Sequence, residues 1–187
     1  MTPAGEQFRA FLRAIEALEK SGLPYALTGS WAASAYGLIR ATHDLDVVIA
    51  LQATDGARLL EASTDPFVPD PIWLAKAVEK GTFFNILDGD SLLKVNFWPL
   101  KDDPYSREQF VRRRRQEVQG QPVWVLSLED VLLSKLIWHR DSQSELQWRD
   151  LRALWEINQS EVARHYLEEW ASQLGVADPL SRLKAHV

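Results

Sequence analysis

The reading of this chain is decided by Leu27-Thr28-Gly29-Ser30-Trp31 and, a short helical segment later, Arg40-Ala41-Thr42-His43-Asp44-Leu45-Asp46-Val47-Val48. Asp44 to Leu51 reads as a strand. Alternate side chains of a strand leave the same face, so Asp44 and Asp46 point one way and Leu45, Val47, Ile49 and Leu51 the other. Two neighbouring carboxylates repel and resist desolvation unless a cation lies between them. Hard divalent ions such as Mg²⁺ take oxygen ligands of this kind and share them with substrate phosphates. Upstream, Gly29-Ser30 separates an apolar strand (Tyr25 to Thr28) from a small-residue helix (Trp31 to Gly37). Backbone N–H groups and a hydroxyl thus meet at a helix start, where anions are favoured. A phosphate cradle followed by a metal-binding acidic pair suggests phosphoryl or nucleotidyl transfer.

A hydrophobic residue, Gly-Ser, thirteen residues, then Asp-hydrophobic-Asp-hydrophobic resembles the signature of the nucleotidyltransferase superfamily related to DNA polymerase β. The spelling Arg40-x-Thr42-x-Asp44-x-Asp46 resembles the bacterial branch of minimal nucleotidyltransferases and AbiE-type toxins of toxin–antitoxin systems. The motif covers residues 25–51, with weaker likeness to about residue 157. The resemblance implies an α+β fold: a mixed sheet with flanking helices and a C-terminal helical lobe. It implies that Gly29 and Ser30 hold a triphosphate and that Asp44 and Asp46 hold Mg²⁺ or Mn²⁺. The competing reading, a glycine turn before a strand with exposed aspartates, leaves two carboxylates on one face of an apolar strand unexplained.

The global numbers are compatible with this. A chain of 187 residues suits one domain, or a core with a small helical lobe. With 21 Lys+Arg against 26 Asp+Glu the formal charge is −5, so no overall basic field drives nucleic-acid binding, although a local patch can. Cysteine is absent, which removes disulfides, thiolate-bound zinc and thiol nucleophiles. No apolar run approaches the ~20 residues of a membrane span, and a cytoplasmic protein without membrane partners is expected. The eight tryptophans fall mostly on predicted helices and read as packing.

Periodicity predicts helix 5–21, strand 25–28, helix 30–38, strand 44–51, helix 54–62 and helix 72–79. Apolar runs 82–87 and 91–98 flank Asp88-Gly89-Asp90, a hairpin signal in which Asp88 and Asp90 are turn-formers. A helix at 105–117, a strand at 122–126 and three or four closing helices follow. The expected organisation is a core over 1–126 and a helical lobe over 127–187.

In Leu92-Leu93-Lys94-Val95-Asn96-Phe97-Trp98 one face carries Leu93, Val95 and Phe97, and the other Lys94, Asn96 and Trp98. In the resembled family a third acidic residue stands at the position of Asn96, completes the metal site and helps deprotonate the acceptor. Asparagine offers a carbonyl oxygen but no charge and no basicity. Two aspartates still suffice for one Mg²⁺–triphosphate complex, whereas a two-metal mechanism is compromised. The bland alternative makes Asn96 a polar strand residue and shifts the alignment by two.

Ser127-Leu-Glu-Asp130 reads as a capping box opening a helix that carries Lys135 among Val131, Leu132, Leu136 and Trp138. On the next helix Asp150 interrupts the stripe Leu146, Ala153, Leu154, Ile157 and wants a partner, Lys135 being nearest by pattern. AbiE-type proteins resemble this arrangement. Lys135 then binds triphosphate and Asp150 orients it or acts as a base; alternatively the pair is a structural ion pair joining two helices. The run Arg112 to Arg115 at a predicted helix end reads first as a solvated face and second as an RNA or phosphate contact. Arg40 is a partner for a substrate phosphate or for Asp44. His43 should point away from the acidic face, and His139, His165 and His186 lack ligand spacing.

Two functions compete. The first is an enzyme moving a nucleoside monophosphate from an NTP to an RNA, protein or small-molecule acceptor; the toxin-like resemblance favours tRNA or protein and admits a cognate antitoxin. The second is a degenerate fold, with Asn96 in place of the third acid, that binds NTP, RNA or a partner without turnover. A purely structural role ranks last.

Overall fold

The computed structural model describes every residue except Met1, Thr2, Ile39, Ala41, Ala53, His186 and Val187, with Pro3 and Ala4 described by backbone alone. His186 therefore lies outside the described residues. In chain order the elements are α1 (Pro3–Ser21), β1 (Tyr25–Thr28), α2 (Gly29–Ala35), β2 (Asp44–Ile49), α3 (Gly56–Ala62), α4 (Pro71–Lys80), β3 (Phe84–Leu87), β4 (Lys94–Pro99) and α5 (Pro104–Val111). β5 (Arg114–Val118), β6 (Gln121–Val125), α6 (Leu128–Ser142), α7 (Glu145–Asn158), α8 (Arg164–Gln173) and α9 (Ala177–Lys184) complete it. This is the expected α+β architecture, with six strands and nine helices among the described residues. None of the described helices is long and apolar enough to cross a membrane.

The chain divides into two compact units, Met1–Leu27 with Ala41–Arg107, and Thr28–Arg40 with Glu108–Val187. Residues 28–40 and 108–126 thus group with the C-terminal helices.

In the first unit the strand order is β3-β4-β2-β1, with β2 and β4 parallel and β3 and β4 antiparallel. The period-2 pattern of β2 explains its seat: Leu45, Val47 and Ile49 are fully buried, while Asp44, Asp46 and Val48 keep partial exposure. β4 buries Val95 and Phe97 beside them, each worth roughly 1.5–3 kcal/mol if fully desolvated. α1 turns Ala10, Phe11, Ala14 and Leu18 inward at helical spacing and packs on α3, which packs on α4. α4 is capped at both ends. Asp70 accepts the N–H groups of Ile72 and Trp73 at 2.9 Å, Pro71 follows it, and Gly81 closes the helix in the left-handed conformation (φ 59°).

The β3–β4 hairpin forms as expected, and Asp88 does more than turn the chain. Its carboxylate is fully buried, accepts Ser91 N–H at 3.0 Å and Ser91 Oγ–H at 2.9 Å, and receives Arg13 Nε and Nη2 of α1, both at 2.8 Å. Burial pushes this carboxyl upward, but the Ser91 N–H and the Arg13 guanidinium outweigh it and hold the group below its ordinary range.

In the second unit α6 packs against α2, α7, α8 and α9, and β5 pairs antiparallel with β6. The helix expected over 105–117 is corrected: α5 stops at Val111, and Arg114–Val118 is a strand. The reason lies downstream. Gln119 and Gly120 both have positive φ (50° and 80°), which suits a two-residue hairpin loop, and Val118, Val123 and Val125 face inward. Two smaller adjustments concern ends: β2 stops at Ile49 rather than residue 51, and α3 starts at Gly56 rather than 54.

Ser127 caps α6 as expected, accepting Asp130 N–H at 3.3 Å and donating to Asp130 Oδ2 at 2.5 Å. Asp130 also accepts Tyr166 O–H at 2.8 Å. Burial pushes its carboxyl up to about 6 against those two hydrogen bonds. Its neighbour Glu129 goes the other way: burial raises it, but the Ala163 N–H and other donors hold it below the ordinary range.

Candidate active site

The predicted residues fall into two groups, one in each unit. In the first, β2 and β4 run side by side with Asp44 opposite Lys94, Asp46 opposite Asn96 and Val48 opposite Trp98. This register sets Asn96 beside Asp46. Asn96 Nδ2 donates to Asp46 Oδ1 at 3.1 Å, and Trp98 Nε1 donates to the same oxygen at 3.3 Å. Lys94 Nζ lies 3.4 Å from Asp44 Oδ1, with both side chains about half exposed. The carboxylates thus share a face with one ammonium and two N–H donors, and the formal charge of Asp44, Asp46 and Lys94 together is −1.

The donor set suits a hard cation. Asp44 and Asp46 supply carboxylate oxygens, and Asn96 Oδ1 is buried with no hydrogen-bond partner. A buried carbonyl oxygen left unpaired is costly and is readily satisfied by a cation. No cluster of three or more His, Cys, Asp or Glu suited to a metal occurs among the described residues, so any ion here rests on two carboxylates. Such a site suits an ion arriving with the phosphates that complete its shell.

In the second group Gly29 has a positive φ (65°), which an L side chain tolerates poorly, and Ser30 follows in the first turn of α2. Arg40 Nη2 donates to Ser30 Oγ at 2.7 Å, and Arg40 Nε donates to Asp150 Oδ2 at 2.9 Å. Lys135 Nζ donates to the same Asp150 oxygen at 2.9 Å and to Gln147 Oε1 at 3.2 Å. Lys135 is wholly buried and Asp150 nearly so. Two cations share one carboxylate, leaving a formal charge of +1 on the cluster.

The arginine run divides. Arg112 binds Glu129 at 3.0 Å and stacks over the Tyr166 ring at 3.8 Å, and Arg113 covers Phe110 and Trp124. These two are packing residues, whereas Arg114 and Arg115 are exposed on β5. His43 points to Gln7, whose Nε2 lies 2.8 Å from its Nδ1. Sequence reasoning missed Lys94 and Trp98 as neighbours of the acidic pair. The signal was present, since both alternate with Asn96 on one strand.

No family model matches the chain, and no curated protein matches it. Solved structures do. The antibiotic-resistance factor ANT(2'')-Ia in solution superposes with a TM-score of 0.58 at 15% identity, over 96% of this chain and 96% of that one. The same factor in complex with adenylyl-2''-tobramycin gives 0.56 at 13% identity, over 90% and 96%. An antigenic nucleotidyltransferase-like protein from Paracoccidioides brasiliensis gives 0.51 at 19% identity, over 94% and 91%. At these identities the likeness establishes a nucleotidyltransferase-like fold.

Proposed function

We propose that this chain transfers a nucleoside monophosphate from an NTP to an RNA, protein or small-molecule acceptor, with Mg²⁺ or Mn²⁺ held by Asp44 and Asp46. The observation that carries the reading is the shared face of β2 and β4, with Asp44 and Asp46 on one strand and Asn96 beside Asp46 on the next. When bound, the cation neutralises phosphate charge and aligns the transferred group. Asp44 and Asp46 hold it, and Asn96 contributes at most a carbonyl oxygen. Gly29 N–H and the Ser30 hydroxyl contact the triphosphate. Arg40 and Lys135 supply positive charge for it, and Asp150, bonded to both, keeps the two cations in place. A neighbour solved with an adenylylated compound favours NTP as the donor. Positioning and charge neutralisation account for most phosphoryl-transfer catalysis, so a site lacking the third acid retains a route to activity.

The Arg40-x-Thr42 spelling supports a toxin–antitoxin setting with a cognate antitoxin, which co-expression of the neighbouring gene with and without this chain tests by growth. The transfer reading is tested with purified protein, α-labelled NTPs and Mg²⁺ or Mn²⁺, offered total tRNA and lysate. Label on tRNA or protein, absent with Asp46→Asn, supports it; no label on any acceptor defeats it.

A second reading has its own observation. Asn96 and Trp98 already donate to Asp46, and Lys94 already faces Asp44, so the acidic pair is partly satisfied by the chain itself. This favours a module that binds NTP or a partner without turnover. Transfer that arises in Asn96→Asp and is absent from the wild type would select this reading.

A further inference from the structure

A second feature of the first unit stands outside the acidic pair. One side of α4 carries Trp73, Lys76, Ala77 and Lys80 at i, i+3, i+4 and i+7, with Trp73, Lys76 and Lys80 exposed and Ala77 buried between them. This side borders a cavity of about 480 Å³ whose other wall includes Phe83, just before β3, and Asn85 within it. Trp73 is 73% exposed and Phe83 42%, an unusual display of aromatic surface around one opening. Lys76 Nζ lies over the Trp73 ring at 5.9 Å. Asp70, also on the wall, caps α4 through Oδ1 and keeps its negative charge, so Lys76 and Lys80 leave the groove with a formal charge of +1. The groove reaches the carboxylates through a chain of contacts. Phe83 lies 4.5 Å from Trp98, ring to ring, and Trp98 donates to Asp46.

We infer that the α4–β3 groove binds single-stranded nucleic acid, Trp73 and Phe83 stacking bases while Lys76 and Lys80 take backbone phosphates. Stacking platforms interleaved with cations are the means by which proteins hold unpaired strands, and the π-faces carry no sequence demand. A polycationic aminosugar would meet like charge here, and an aliphatic peptide would leave both lysines unpaired. The exposed amide of Asn85 adds a donor and an acceptor for a base edge. The overall charge of −5 is no obstacle, because counterion release depends on local phosphate contacts. That the strand is the acceptor rests on the transfer reading of Asp44 and Asp46; that it binds does not.

The test is fluorescence anisotropy of an end-labelled 12-nucleotide single-stranded RNA of mixed sequence with the full chain, across a salt series. Trp73→Ala and Phe83→Ala are each expected to weaken binding about tenfold. Lys76→Gln with Lys80→Gln should lower the slope of log affinity against log salt by about 1.4, the release expected from two phosphates of a single strand. Circular dichroism should report unchanged folding for the variants at the exposed positions Trp73, Lys76, Lys80 and Phe83. Absence of saturable binding, variants that bind as the wild type does, or preferential capture of an acidic peptide overturns the inference. Loss of NTP transfer with RNA binding intact would instead defeat the enzymatic reading and leave the groove standing.

Discussion

Asn96 and Asp46 lie opposite each other on parallel β4 and β2, the amide Nδ2 of one donating to Oδ1 of the other at 3.1 Å. The amide thereby offsets part of the Asp46 charge with one hydrogen bond. Asn96→Asp replaces that donor by a second carboxylate against the first. Without divalent ions the variant should lose about 1–3 kcal/mol, because a hydrogen bond becomes a repulsion. Mn²⁺ should restore its melting temperature and leave the wild type less affected. Thermal melts with and without Mn²⁺ check this; equal shifts in both proteins would refute it.

Asp150 anchors two cations through one oxygen, so its removal and that of Lys135 are not equivalent. Asp150→Ala takes the carboxylate from the fully buried Lys135, leaving a neutral acceptor in Gln147 against its charge, and should cost about 3–5 kcal/mol in urea unfolding. Lys135→Met should cost clearly less, since Asp150 keeps Arg40 and the methionine fills similar volume. Equal losses would show that the pair, not the shared carboxylate, organises the contact between α6 and α7.

Asp130 makes stability depend on pH in the direction opposite to most carboxylates. Its folded value, about 6, lies above the ordinary 3.8. The native state therefore holds the proton more tightly, and stability falls as pH rises through that window. The shift corresponds to roughly 3 kcal/mol at neutral pH. Asp130→Asn should remove this decline, seen as a flatter difference in unfolding free energy between pH 4 and pH 7.

Asp88 behaves in the ordinary sense. Held below its usual range, it contributes stability above about pH 4 that is lost as pH falls through its folded value. Asp88→Ala removes the acceptor for Arg13 and for the turn N–H of Ser91, and should cost about 2–4 kcal/mol at pH 7. The loss should be smaller at pH 3, which denaturation at the two pH values measures.

The strand–turn–helix–strand stretch around Gly29 and Asp46 was legible because its periods are unambiguous: the alternation of Leu45, Val47 and Ile49 is the burial pattern observed. Lys135 and Asp150 were legible for a different reason, as charges on apolar stripes that require a partner. β5 was not. Pro104-to-Glu117 carries helix-compatible residues throughout, and what overrides them is the loop at Gln119-Gly120, whose backbone both strands obey. The partner of Arg40 was equally hidden. Asp150 is 110 positions away in the chain, and only the packing of the second unit brings the two together.

β5 pairs on one side with β6, and its outward residues include Arg114 and Arg115, the latter beside the Trp124 ring at 5.7 Å. A strand with a free margin is a template on which another chain can add, and densely charged side chains are a usual deterrent. Arg114 and Arg115 then act as that deterrent: their charge discourages copies of this chain from zipping together edge to edge. Neutralising Arg114 and Arg115 would be felt first as a loss of solubility at high concentration, before any loss of fold.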